Sequence, residues 1–204
     1  VKLALWACVP NLFLAGGLYL LSPGLLVISV FSFAITLTVV ASFFDVPSLV
    51  ERGKLTYYSP FLLGEEPKNG RMTVHGGTLF DYYFTLDRSD PGTVRTRQVL
   101  VEYLRGLLAL TEAHDDELTV RGTSYIVGER TASRVGLTKT PTDSLQYLIL
   151  LFNYFNLAVA MRLVKGRWEW PNLHRVHTFA GRVGDIRLRA AYIQSLLLRL
   201  ESRD

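Results

Sequence analysis

Four histidines hold most of the chemistry that this chain can offer near neutral pH. His75-Gly76-Gly77 is followed by Asp81-Tyr82-Tyr83. A histidine base steadied by a carboxylate is an arrangement of general acid–base catalysis. His75 and Asp81 meet if 71–75 and 78–86 are strands of one hairpin, turning at Gly76-Gly77, and share a face. His174-x-x-His177 spaces two imidazoles as a helix would to reach one metal ion. No third ligand stands nearby, and Pro171-Asn172 signals a loop, so no metal and no cofactor is expected. His114 beside Asp115-Asp116-Glu117 reads as a solvated helix end. Ser124 lies outside any G-x-S-x-G elbow, and neither a P-loop nor a dinucleotide glycine triplet is present. The single cysteine, Cys8, excludes an intrachain disulfide framework. The balance of these residues favours a protein without catalytic chemistry of its own.

The elements that must position these groups divide unequally. Residues 3–44 carry no charged side chain, and Ser22-Pro23-Gly24 interrupts them. About 20 apolar residues cross a bilayer as a helix. The expected class is therefore a membrane protein: a transmembrane α-helical hairpin over 1–44, with spans at about 3–21 and 25–44, then a small α+β polar domain with long C-terminal helices. Pro10-Asn11 would kink the first span, and Gly16-Gly17 would let another helix approach closely. No ionisable side chain occupies either span, which argues against a transporter acting alone. Lys2 before the spans, and Arg52 and Lys54 after them, predict an integral membrane protein with both termini cytoplasmic.

Over 45–204, strands are expected within 55–87 and 118–127, and helices at about 94–113, 144–164 and 181–203. Residues 128–135 read as a short helix closed by Gly136. The stretch 144–161 is uncharged. It reads as a buried or interfacial helix, because Gln146, Asn153 and Asn156 cluster on one face, with a third span as the alternative. In the last helix Ile186, Ala190, Ile193, Leu197 and Leu200 form a heptad seam that can pack on its own domain or dock on a partner.

Residues 75–137 follow an order of their own. A strand ending at Leu86 leads through a loop with Arg95 and Arg97 into a helix ending at Ala113. A strand near Val120 follows, and then Glu129 to Leu137. This order resembles the acetyl-CoA half of the GCN5-related N-acetyltransferases. In that family a glycine-spaced loop holds pyrophosphate at a helix N-terminus. The resemblance implies a cofactor-binding role for Arg95 and Arg97, although Arg95-Thr96-Arg97-Gln98-Val99-Leu100 lacks both motif glycines.

Taken together, the expected function is a non-enzymatic accessory, assembly or scaffold subunit of a larger membrane protein complex. Its partners would be other membrane subunits and the lipid bilayer. Nucleic acid is not expected, since no dense Lys/Arg run accompanies the formal charge of +4. The alternatives are a membrane-tethered acyltransferase-like enzyme using 75–137, and a component of a transporter or channel.

Overall fold

A computed structural model describes residues 46–124, 127–142, 150–151, 153–172 and 176–202, with 9, 13, 15–20, 22, 27–29, 32, 33 and 36. The chain divides into two units, Val1–Arg52 and Gly53–Asp204. In the first, residues 15–20 are helical, Thr36 Oγ1 donates to the Ser32 carbonyl at 2.8 Å, and helix α1 spans Val46–Glu51.

Among the described residues no helix is long and apolar enough to cross a membrane. This corrects the expected transmembrane hairpin and the integral-membrane localisation with cytoplasmic termini that depended on it. A run without charge is not yet a span. A span needs about 20 continuous helical residues, and no such apolar run is found among the described residues. Much of 3–21 and 25–44, Pro10 and Asn11 included, lies outside the described residues. Gly16 and Gly17 are helical and exposed, and a Cβ added at either meets nothing within 4 Å among the described residues.

The second unit runs β1 (Leu55–Ser59), β2 (Leu62–Glu65), β3 (Arg71–Gly76), α2 (Leu79–Thr85), α3 (Gly92–Ala113), β4 (Thr119–Ser124) and α4 (Glu129–Arg134). It continues with β5 (Thr138–Thr140), α5 (Tyr154–Lys165), β6 (His177–Arg182), α6 (Val183–Arg187) and α7 (Ala190–Glu201). Six strands form one sheet in the order β1-β2-β3-β4-β6-β5. Every neighbouring pair is antiparallel except β3 with β4. The β2–β3 turn closes on Asn69 and Gly70, both at positive φ (52° and 70°), as a two-residue hairpin turn demands. Lys68 and Arg71 exchange backbone bonds across it at 2.8 and 3.0 Å.

Residues 79–85, expected as the second strand of a hairpin, are helical. Thr78 caps α2, its hydroxyl accepting from the Asp81 amide while the Asp81 carboxylate accepts from the Thr78 amide. That reciprocal pair satisfies two helix-end donors and outweighs the strand preference of Phe80, Tyr82, Tyr83 and Phe84. The helix expected over 181–203 is likewise shorter. Residues 177–182 pair with β4, and the turn at Leu188-Arg189 separates α6 from α7. Of the stretch 144–164 considered as a third span, 144–149 and 152 lie outside the described residues, and α5 itself, with 12 residues, reaches about 18 Å against a hydrocarbon core of about 30 Å. Ala158, Ala160, Met161 and Val164 are buried in it, and Gly166 at φ 75° ends it.

The core has two parts, and α3 serves both. Val101, Leu104, Leu107 and Leu110 pack with Leu62, Met72 and Val120 of the sheet and with Ile186, Ile193 and Leu197 of α6 and α7. Ile186, Ile193 and Leu197 of the heptad seam thus lie in the chain's own core, with Leu200 packed beside it, while Ala190 is half-buried. On its other side, Val99 of α3 joins Phe61, Tyr82, Leu86, Ala160 and Val164. The start of α3 presses on the end of α5 so closely that a Cβ on Gly92 would collide with the Lys165 carbonyl. Gly92→Ala is expected to cost about 1–3 kcal/mol by overpacking, read as a lowered urea midpoint. Gly128→Ala, where a Cβ meets open space, is expected to stay within about 0.5 kcal/mol.

Candidate functional site

Alternation along β3 turns Met72, Val74 and Gly76 toward α3, and Thr73 and His75 the other way. On the helix-covered face lies a cavity of about 300 Å³. The sheet contributes Leu62, Val74, Val120 and Phe179 to its wall, and α3 contributes Leu100, Tyr103, Leu104, Leu107 and Leu110. Leu196 and Leu200 of α7 and Val127, Thr131 and Val135 around α4 complete it. Two glycines keep the sheet side low. A Cβ on Gly76 would stand 2.7 Å from Tyr103 Oη, and one on Gly122 would stand 2.6 Å from Val74 Cγ2. The inner end is closed by the fully buried Leu110 and Val120, while Leu100, Val127 and Leu200 at the other end are half-buried.

Polar groups on this wall are few and engaged. Ser124 Oγ accepts from the Val127 amide at 3.1 Å, and Tyr103 Oη lies 3.4 Å from Tyr82 Oη. Burial pushes the Tyr103 ionisation up, against a smaller opposing effect of the Tyr82 bond. Apolar chambers of this kind do not hold water well.

The residues expected from sequence to do chemistry are not gathered here. His75 borders the rim through its place on β3, but its Nε2 is bonded to Glu65 Oε1 at 2.8 Å, on the far face of the sheet. Asp81 is taken by the α2 cap and by Tyr57 Oη, which lies 3.1 and 3.3 Å from its two carboxylate oxygens. The expected His75–Asp81 pair is therefore replaced by His75–Glu65 and Tyr57–Asp81. Arg95 is 95% shielded, its Nε has no partner among the described residues, and its guanidinium lies against Gly166. It faces the C-terminal end of α5, where a cation is favoured. Arg97 is half-buried and engaged. His177 is half-buried in β6, with its ring edge-on to Phe179, and His174 lies outside the described residues. Among the described residues no three His, Cys, Asp or Glu side chains are grouped to hold a metal. The cavity residues had a readable signal in α3, whose apolar positions 99, 100, 101, 103, 104, 107, 108 and 110 are too many for one stripe.

The fold and the cavity define an α+β domain with a mixed sheet built over an apolar chamber. Comparison with protein-family models, curated proteins and solved structures finds no match.

Tyr57 holds its proton well above the ordinary tyrosine range, first through desolvation and then through the Asp81 charge and hydrogen bond. The folded state therefore keeps a proton that the unfolded chain loses near pH 10, and this contribution to stability falls as pH rises beyond that point. Asp81→Asn removes the charge. Ultraviolet titration is expected to show Tyr57 ionising at lower pH, with a shallower loss of stability above about pH 10.

Proposed function

We propose that residues 53–204 act as a non-enzymatic binding module whose cavity holds an apolar ligand, in a protein accessory to a larger assembly. The observation that carries this reading is the cavity itself. Its volume of about 300 Å³ stands at the lower bound of small-molecule sites, and its wall is aliphatic with a few fixed hydroxyls, as such sites commonly are. Of the lining residues that could do chemistry, His75 is bonded to Glu65 and the Ser124 hydroxyl accepts from the Val127 amide, and among the described residues no cluster is grouped to hold a metal.

The acyltransferase alternative is disfavoured by the same geometry. A CoA-type ligand needs free amides at the start of a helix for its phosphates, but Gly92 is pressed against Lys165 and Arg95 is buried beside Gly166. The imidazole of His75 is also directed away from the chamber, toward Glu65.

Leu100→Trp tests the reading, because Leu100 is half-buried at the mouth and a larger side chain fills the entrance without entering the closed end. Calorimetric titration of the wild-type chain with decanol is expected to show saturable binding, lost in the variant while its circular dichroism is unchanged. A wild-type chain that takes up no decanol would sink the proposal. For the accessory role, the expected outcome is a stoichiometric protein partner co-purifying with the native chain. A chain that always purifies alone would count against that role.

A further inference from the structure

The stretch around α5 turns aromatic rings to the outside. Trp168 and Trp170, just past the helix, are 66% and 65% exposed, and Leu151 and Phe155 near its start are exposed as well. Ring contacts make neighbours of them. Trp170 stacks on Tyr154 with centroids 6.1 Å apart and planes 9° from parallel, and Tyr154 meets Phe155 edge-on at 6.0 Å. The chain beyond Gly166 therefore folds back along α5 to its first turn, and the two form one facet. A lone exposed apolar side chain is ordinary, whereas a contiguous group rimmed by polar residues marks a contact surface.

The other side of α5 is fixed. Ala158, Ala160, Met161 and Val164 are buried, and Ala160 and Val164 share a cluster with Phe61, Tyr82 and Val99. The helix cannot leave the domain without exposing that core. Its facet can lie against another surface, but α5 is not released to enter one.

Charge selects the surface. Within 150–172 the cations Arg162, Lys165 and Arg167 face a single acid, Glu169. Lys165 Nζ takes that acid at 2.5 Å, and neither remaining guanidinium is ion-paired among the described residues. The uncharged residues 144–161 precede these cations, and the two tryptophans follow them. An indole is an apolar body with one N–H donor, and it settles at the level of lipid headgroups. Arginine lays its stem on apolar surface and offers its fork to phosphate.

We infer that this facet is a docking surface for an anionic phospholipid bilayer. Phe155, Trp168 and Trp170 rest at headgroup level, and Arg162 and Arg167 engage the lipid phosphates. The contact is peripheral and needs no membrane-crossing helix. It is a site separate from the cavity.

The test is flotation of the purified full chain with vesicles of phosphatidylcholine, alone or mixed with phosphatidylserine. Wild type is expected to bind the mixed vesicles more tightly. Trp168→Ser is the cleanest variant, because no ring contact or hydrogen bond engages that indole among the described residues. Its circular dichroism should match wild type, while its affinity for the mixed vesicles falls about tenfold. Arg162→Gln/Arg167→Gln is expected to lose about fivefold per arginine on the mixed vesicles and to stay within about twofold on phosphatidylcholine alone. Leu198→Ser, at an exposed leucine of α7, should bind as wild type does. The inference falls if wild type ignores both vesicles or binds them equally. It also falls if Trp168→Ser binds like wild type, which would assign the binding to another part of the chain, such as the uncharged residues 3–44. Acrylamide quenching, read as the difference between wild type and Trp168→Ser, identifies a rival occupant. Shielding of Trp168 without lipid, by rising protein concentration or by a co-purifying protein, would give the facet to a second copy or a protein partner and overturn the lipid assignment. Decanol uptake by the cavity is independent of each of these outcomes.

Discussion

Helix α3 is held from two sides, and the rest of the domain depends on that clamp. Its sheet-facing leucines join the core beneath β2, β3 and β4, while Val99 belongs to the second cluster with α2 and α5. Contact at this range tolerates no side chain at two of its positions. A Cβ on Gly106 would stand 2.8 Å from Leu62 Cβ, and Gly92 is closed off by Lys165. Because protein interiors are packed as densely as organic crystals, α3 has little freedom to settle into the space that the sheet leaves open. A helix that could slide would close the chamber. This one keeps it.

The chamber follows from subtraction on the opposite wall. Gly76 and Gly122 present no side chains where α3 presents Tyr103 and its leucines. The polar residues most suggestive of chemistry meanwhile do structural work. Asp81 caps α2 and accepts from Tyr57, Glu65 engages His75 across β2 and β3, and Arg95 sits at the C-terminal end of α5. A guanidinium there offsets the partial negative charge of the helix end, so its burial is explained without any ligand.

Legibility in the sequence varied with the range of the interaction that decides each element. The long helix expected at 94–113 rests on local periodicity and is present over 92–113, whereas the two-residue hairpin turn expected at Gly76-Gly77 stands at Asn69-Gly70. The aromatic content of residues 79–85 favours a strand, but Thr78 and Asp81 carry a capping signal in the sequence that decides for a helix. The partner of His75 could not be read at all. It depends on the register that places Leu63 opposite His75 and so brings Glu65 within reach. The surplus of apolar positions in α3 marks its share of the cavity, but the cavity itself exists only where residues of β2, β3, β4, β6, α3, α4 and α7 converge. The charge-free N-terminal stretch shows the opposite hazard: composition alone suggested spans that no described helix supplies.

Strand β4 occupies a singular place in the order of the sheet. On one flank the paired strands β1, β2 and β3 are consecutive in the chain; on the other, β5 pairs with β6. Thr119, at the start of β4, is matched to Arg71 on one side and to Arg182 on the other, partners far away along the chain. Closing such distant pairs costs chain entropy before any contact rewards it, and slows folding. Only the β1–β3 flank is local, since β5 also meets β6 across a long stretch of chain, Thr138 opposite Ala180, and β4 is the strand that joins the two flanks. Its Thr123 hydroxyl meets that of Thr178 on β6 at 3.0 Å. The strand that floors the cavity is thus also the seam at which the two halves of the sheet acquire a common fate, folding and unfolding as one.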